Sequence, residues 1–187
     1  MIDTAAPPQA PRMQRQQVLQ GQARASADAA VELTTVLGSC VATCLYDPVA
    51  RVGGMNHFLL PEPPASHDRA QVDVHYGTYL MEILINDMLG LGAQKARLRA
   101  HLYGGANMRA GMAPIGTANA EFARSFLQRE GIALMRADLG GTLPRRVDFR
   151  PATGQVRCRS VEPRLAPQVA PPATPPAPRD RGDVELF

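Results

Sequence analysis

The sequence predicts a single α/β (α+β) domain over residues 14–162, because strand-like and helical segments alternate there between two proline-rich ends. The chain has 187 residues, of which 45% are hydrophobic and 20% charged, so it can bury one core of ordinary size. No apolar run approaches the roughly 20 residues of a membrane-spanning helix, and no signal-peptide pattern precedes the domain. We therefore expect a cytoplasmic protein.

Hydrophobic periodicity locates the elements of this domain. Strands are expected at residues 17–25, 30–37, 36–46, 51–60, 96–103, 132–139, 146–150 and 155–161. A helix is expected from Tyr76 to Leu91, where apolar residues recur with a helical period and a glycine follows. A second helix is expected to run to Glu130 from an N-cap at Thr117 or Asn119.

Three segments flank the domain. Residues 1–13 are polar and proline-punctuated, so we expect them to be disordered, and residues 163–178 hold seven prolines and should form an extended linker. Residues 179–187 end in the acidic and apolar stretch Asp183-Val-Glu-Leu-Phe187. This C-terminal peptide is either a tethered docking peptide or a strand packed against the domain edge.

Charge and cysteine content exclude several classes of function. The formal charge is +3, and the basic residues are scattered rather than clustered, so nucleic-acid binding is not expected. Three cysteines, Cys40, Cys44 and Cys158, favour free thiols over a disulfide framework. Along a strand, Cys40 and Cys44 would stand about 13 Å apart at about 3.3 Å per residue. That distance argues against a shared metal ion and against a redox pair, so we expect neither a metal nor another cofactor.

Cys40 and His57 lie on two apolar strands joined by a turn signal, Asp47-Pro-Val-Ala50. Pairing Tyr46 with Arg51 across this turn places Cys40 directly opposite His57, with Cβ atoms about 5 Å apart. A bulge at the glycine pair that follows would shift this register by one residue. A thiol beside an imidazole is a nucleophile with its base, and the imidazole would favour the thiolate. The pair therefore predicts an acyl-transfer site.

The same two residues also admit a packing role, with Cys40 as a small buried hydrophobe and His57 as a core histidine. Gly38-Ser39 favours the functional role, because it interrupts the strand just before the thiol, where a packing strand would have bulky residues. We expect Gly38 and Ser39 to let the backbone bend and present N–H groups to an oxyanion. Thr34 is a candidate to hold the second nitrogen of His57, although threonine is also simply a good strand former.

Seven short motifs occur along the chain in a fixed order. They are Leu37-Gly-Ser-Cys-Val41, Gly53-Gly-Met-Asn-His-Phe58, Tyr76-Gly-Thr78, Tyr103-Gly-Gly-Ala-Asn-Met108, Ile115-Gly-Thr-Ala-Asn119, Leu139-Gly-Gly141 and Thr153-Gly154. In these motifs the chain resembles the chemoreceptor glutamine deamidases, the CheD family of bacterial chemotaxis. The resemblance covers residues 17–161 and leaves the proline-rich tail outside.

The resemblance implies a cysteine nucleophile at Cys40, a histidine at His57 and a threonine at Thr34. It also implies a β-sandwich-like sheet core flanked by helices, similar to the catalytic domains of deamidating bacterial toxins. The implied partners are methyl-accepting chemoreceptors, whose glutamines would become glutamates through a thioester, and a CheC-type phosphatase. The protein would then be recruited to chemoreceptor arrays. The rival interpretation is a non-catalytic adaptor that binds receptors or the phosphatase.

Overall fold

The computed structural model of the chain describes residues 12–60, 74–108 and 114–165. Strands and helices in these ranges are numbered in chain order. The strands are β1 (Gln14–Gln17), β2 (Gln22–Ser26), β3 (Val31–Leu37), β4 (Val41–Asp47), β5 (Val52–Phe58), β6 (Arg99–Gly104), β7 (Ala133–Leu139), β8 (Arg145–Arg150) and β9 (Gln155–Ser160). The helices are α1 (Val74–Gly90) and α2 (Ile115–Arg129). The expected mixture of strands and two helices is thus confirmed.

The strands form two sheets, and the sheets and helices form three layers. The four-stranded sheet has the order β1-β3-β8-β9, and the five-stranded sheet has the order β2-β5-β4-β6-β7. One hydrophobic core lies between the two sheets and includes Leu33 and Phe149 from one sheet and Met55 and Tyr103 from the other. A second core lies between the five-stranded sheet and the helices. The predicted sheet core flanked by helices is therefore confirmed, with both helices packed against the five-stranded sheet.

The predicted strand over residues 36–46 is wrong, because the chain changes sheet within it. Strand β3 ends at Leu37 in the four-stranded sheet, and β4 begins at Val41 in the five-stranded sheet. The chain bends at Gly38 and Ser39 between them. A residue without a Cβ makes this change of direction easy. Cys40 therefore lies at the point where the chain enters the second sheet.

The predicted register of the β4–β5 hairpin is also wrong. Asp47 pairs with Val52, so His57 lies opposite Ala42 rather than opposite Cys40. The turn closes one residue later than predicted because the Asp47 carboxylate accepts hydrogen bonds from the N–H groups of two turn residues, Val49 and Ala50. Cys40 consequently lies diagonally from His57, two residues out of register.

The predicted N-cap of the second helix is wrong as well. Helix α2 begins at Ile115, so Thr117 and Asn119 lie inside it. The side chain of Asn107, in the preceding loop, accepts a hydrogen bond from the N–H of Gly116 at 3.0 Å. A side chain from outside the helix thus satisfies an N–H group of its first turn, and Asn119 is available for another role.

The flanking segments fall largely outside the described residues. These segments are residues 1–11 and 166–187, which include most of the predicted linker and the whole C-terminal peptide. The first three residues of the predicted linker, Pro163–Leu165, form a short 3₁₀ helix. No helix in the described ranges is long and apolar enough to cross a membrane.

Candidate active site

Cys40 lies one residue before β4 and is buried, with 4% of its surface exposed. Its carbonyl oxygen accepts a hydrogen bond from the N–H of Gly105 at 2.8 Å. The carbonyl of Gly38 accepts a similar bond from Ala106 at 2.9 Å. Two bonds to the loop after β6 therefore fix the backbone on both sides of the thiol.

The side chain of Asn119 fixes Ser39, the residue between Gly38 and Cys40. Asn119 is fully buried on α2, and its side-chain amide donates to the Ser39 carbonyl at 2.9 Å. Its side-chain oxygen accepts from the N–H of Leu60, just beyond β5, at 2.8 Å. A single buried amide thus connects the helix layer, the bend before Cys40 and the end of the strand that carries His57. The sequence marks Asn119 only as a possible cap, so its role in the site was not predicted.

His57 lies on β5 and faces the space between the sheets, with 2% of its surface exposed. Its Nδ1 atom lies 2.9 Å from the hydroxyl oxygen of Thr35 and 3.3 Å from the carbonyl oxygen of Val18. The Thr35 hydroxyl donates its own proton to the Val18 carbonyl at 2.8 Å. Both neighbours of Nδ1 therefore act as acceptors, and the proton of the neutral ring lies on Nδ1.

The other ring nitrogen of His57 then carries a lone pair. This Nε2 atom is buried and has no hydrogen-bond partner among the described residues. A buried polar atom without a partner costs free energy, and such atoms in folded proteins often serve chemistry. The arrangement gives His57 an unoccupied basic nitrogen between the sheets.

The predicted contact between Thr34 and His57 is wrong, and the adjacent Thr35 makes it instead. Successive side chains of a strand point to opposite faces. Thr35 points to the inner face of β3, whereas the hydroxyl of Thr34 donates to the Asp148 carboxylate at 2.7 Å on the outer face. The sequence contains an indication of this. Leu33, Thr35 and Leu37 are alternate residues of one strand, so Thr35 points to the same face as the two leucines.

Burial sets the protonation state of both groups. It raises the pKa of the Cys40 thiol to about 12, against a smaller lowering effect of the residue's own backbone N–H. It lowers the pKa of His57 to about 4, against a smaller raising effect of the Val18 carbonyl. At neutral pH the pair is therefore a thiol and a neutral imidazole. The expectation that the imidazole keeps Cys40 as a thiolate is wrong for this state.

Gln20 is a further neighbour of Cys40 that the sequence did not indicate. It lies in the turn between β1 and β2, and its side-chain oxygen accepts a hydrogen bond from the Cys40 sulfur at 3.5 Å. The N–H of Gly21, the next residue, donates to the carbonyl of His57 at 2.8 Å. The β1–β2 turn thus forms one wall of the site.

Comparison with known proteins identifies the family. The model of the family described as "CheD chemotactic sensory transduction" matches residues 59–160, more than half of the chain. A Zymomonas mobilis protein is 58% identical over 78% of this chain and 79% of its own length. A Caulobacter protein from strain K31 is 47% identical over 91% of both chains. The chain belongs to the CheD family.

Both CheD relatives carry the name "Probable chemoreceptor glutamine deamidase CheD". The match between the chain and the family model begins at Leu59, two residues after His57, so it includes neither Cys40 nor His57.

Two solved structures, a hypothetical protein YfiH of Bacillus licheniformis and a DUF152 protein of Neisseria meningitidis, are each 14% identical to the chain. The match to YfiH covers 72% of this chain and 62% of YfiH, with a TM-score of 0.44. The match to the DUF152 protein covers 65% of this chain and 54% of that protein, with a TM-score of 0.40. These scores are too low to support an argument about the site.

The other two cysteines of this CheD chain have different surroundings from Cys40. Cys44 pairs with Met55, so it is also a diagonal neighbour of His57, but it is fully buried between the sheets, and burial raises its pKa above the usual range. Cys158 is half-buried on β9 and lies 3.7 Å from the Asp138 carboxylate, with a pKa raised to about 11 mainly by burial. No group of three histidine, cysteine or acidic residues suited to a metal ion occurs in the ranges that the structure describes. Among the three thiols, Cys40 is the one flanked by the walls of the site.

Proposed function

We propose that this CheD-family protein is a cysteine-dependent glutamine deamidase that converts chemoreceptor glutamines to glutamates. The family and the names of its relatives support deamidation in chemotaxis. The observation that carries the cysteine mechanism is the unpartnered, lone-pair-bearing Nε2 atom of His57. This nitrogen lies on the face of the five-stranded sheet that packs against the other sheet. His57 is on β5, which pairs with β4, and Cys40 lies one residue before β4.

The diagonal arrangement leaves room for the reaction. Diagonal neighbours on paired strands have Cβ atoms about 7 Å apart, a distance that a thiol and an imidazole directed towards each other can span. His57 is buried and held at Nδ1, so its Nε2 atom is the part of the ring that is free to exchange a proton. In the proposed mechanism Cys40 is the nucleophile and His57 its oriented base.

In the first half of the proposed reaction, Cys40 attacks the carboxamide carbon of a receptor glutamine. His57 Nε2 takes the thiol proton as the S–C bond forms, and the carbonyl electron pair moves to oxygen. Backbone N–H groups at Ser39 and Cys40 are the candidates to stabilise this oxyanion, with Gly38 allowing the bend that presents them. His57 then protonates the leaving nitrogen, ammonia departs, and a thioester remains.

In the second half, His57 activates water, which hydrolyses the thioester and releases glutamate. The thiol regains its proton, and no metal or organic cofactor takes part. Thr35, rather than Thr34, holds the ring through Nδ1 in this mechanism. The burial of both groups implies that charge develops only when the proton moves, during attack on a bound carboxamide.

The partners of this activity also remain proposals. The substrate is the helical cytoplasmic region of a methyl-accepting chemoreceptor, which would bring the protein to receptor arrays. A CheC-type phosphatase would be a second partner. A non-catalytic adaptor of the same pathway would bind these partners without changing them.

The experiment that separates the enzyme from the adaptor uses a chemoreceptor cytoplasmic fragment. The fragment is incubated with the wild-type protein or with His57→Gln, and glutamate formation is mapped by tandem mass spectrometry. We expect wild type to convert specific glutamines and His57→Gln to lose at least about 100-fold in rate, because a general base contributes about 10²–10⁴-fold. Binding of the fragment without any conversion by wild type would favour the adaptor.

A further inference from the structure

The side chain of Gln20 places a glutamine carboxamide against the proposed nucleophile. Its Oε1 atom lies 3.5 Å from the sulfur of Cys40, which donates the hydrogen bond. The side chain itself is exposed at the site, whereas Cys40 beneath it is buried. The functional group that the enzyme is proposed to hydrolyse is thus already present within the chain.

The backbone that carries Gln20 is fixed to the site on both sides. The N–H of Val18 donates to the carbonyl of Thr34, and the Val18 carbonyl accepts from the Thr35 hydroxyl. On the other side, the N–H of Gly21 donates to the carbonyl of His57. The carboxamide of Gln20 is therefore tethered near the sulfur, and tethering makes the attack a step within one molecule rather than between two.

We propose that Cys40 deamidates Gln20 of its own chain. The inference rests on the proposed cysteine mechanism and adds a modification site to it. In the hydrogen-bonded state Oε1 faces the sulfur, and the carbon lies about 1.2 Å beyond it. The terminal torsion of a glutamine side chain is broad, so rotation about it turns the carbon towards the sulfur.

The reaction balances without any additional reagent except water. The bond between Sγ and the Gln20 Cδ atom forms as the carbonyl electron pair moves to Oε1, and His57 Nε2 takes the thiol proton. That proton passes to the amide nitrogen, the C–N bond breaks, and ammonia leaves. Water then attacks the thioester carbon, the C–S bond breaks, and the sulfur is reprotonated. One water is consumed, one ammonia is released, and residue 20 becomes glutamate.

Gln22, the first residue of β2, provides an internal control two residues from Gln20. Its side-chain oxygen accepts a hydrogen bond from the N–H of Leu19 at 3.1 Å, so its carboxamide is held away from the sulfur. Gln16 and Gln17 lie on β1, in the other sheet. All four glutamines fall in the tryptic peptide of residues 16–24, between Arg15 and Arg24. One fragmentation spectrum therefore reports on the reacting residue and on its controls.

The test compares wild type with Cys40→Ala and Cys40→Ser after timed incubation of the intact protein. We expect glutamate at position 20 in wild type only, increasing with time, with the other three glutamines unchanged. A Gln-Gly sequence can deamidate without an enzyme, and the two cysteine variants measure that background. Thermal melting of all three proteins establishes that the variants are folded.

Mixing establishes that the reaction occurs within one chain. Isotope-labelled Cys40→Ala incubated with unlabelled wild type should keep its own Gln20, because the turn is fixed beside the cysteine of the same chain. Conversion of the labelled chain, or equal conversion in wild type and both variants, would overturn the proposal. An unmodified Gln20 in a wild type that deamidates the receptor fragment would overturn it while leaving the proposed function intact. Loss of both reactions would overturn both.

Discussion

The hydroxyl of Thr35 determines which nitrogen of His57 carries the proton. It donates to the Val18 carbonyl, so its oxygen can only accept from Nδ1, and Nε2 is left with the lone pair that the proposed mechanism uses as a base. The adjacent Thr34 has the same side chain and donates to Asp148 on the opposite face. Two neighbouring threonines of one strand thus form a matched pair for a mutational test.

Thr35→Val should lower kcat for receptor deamidation by about 10- to 100-fold, because the His57 ring loses the oxygen that orients it. This loss is a part of the factor that a general base contributes to the rate. Thr34→Val should leave kcat close to that of wild type. Initial rates with a receptor fragment measure both effects. A large loss in Thr34→Val with an active Thr35→Val would show that the outer threonine supports catalysis and that this assignment is wrong.

Burial of the thiol predicts how it reacts with a small alkylating agent. The pKa of Cys40 is raised to about 12, so the thiolate fraction is small at neutral pH and grows as the pH rises. Iodoacetamide should modify Cys40 slowly, with a rate that rises about tenfold per pH unit between about pH 7 and 10. The half-buried Cys158, with a pKa raised to about 11, should react first. Peptide mapping of timed samples measures both rates, and Cys158→Ala isolates the slower one. Rapid, pH-independent labelling of Cys40 near neutrality would instead indicate a resting thiolate.

At the scale of elements, the loop after β6 packs against the backbone of Cys40. Gly104 ends β6 with a φ of +107°, and a Cβ atom at this position would overlap the Cys40 carbonyl oxygen. Gly92, after α1, has a similar φ of +97° but open space around it. Both glycines therefore have a positive φ that other residues rarely adopt, but an added methyl group would meet another atom only at Gly104.

Gly92→Ala and Gly104→Ala should each lose stability of about 1–2 kcal/mol from the left-handed backbone conformation. Gly104→Ala should in addition displace Cys40 and lower kcat by about 100-fold, the order expected for a displacement of about 1 Å at a reacting group. Chemical denaturation and receptor deamidation assays measure the two effects separately. Equal kcat values for the two variants would mean that the β6 loop does not position the nucleophile.

At the scale of the molecule, the sequence predicted the elements better than their connections. Apolar periodicity located both helices and most of the strands, since each buries one face. The single strand predicted over residues 17–25 is wrong, because a turn at residues 18–21 separates β1 from β2 and the two strands belong to different sheets. It could not show that the run around Gly38 is divided between two sheets, because both halves are equally apolar. The register error at Asp47 has a similar origin, since a side chain that hydrogen-bonds into its own turn moves the turn by one residue.

The site was predictable to the extent that it depends on local sequence. Cys40 and His57 were identified from residue type and an approximate hairpin, and the structure brings them to one face of the sandwich although the register differs. Gln20 and Asn119 could not be identified in this way. They reach the site from a distant turn and from a helix, through contacts that exist only after the layers pack.

The most direct test of the account is a cysteine replacement series assayed on the receptor fragment. Wild type, Cys40→Ala, Cys44→Ala and Cys158→Ala are compared for glutamate formation by mass spectrometry, with thermal melting as the control for folding. We predict that Cys40→Ala alone abolishes conversion and that the other two folded variants retain it. Conversion at the wild-type rate by Cys40→Ala would contradict the assignment of Cys40 as the nucleophile.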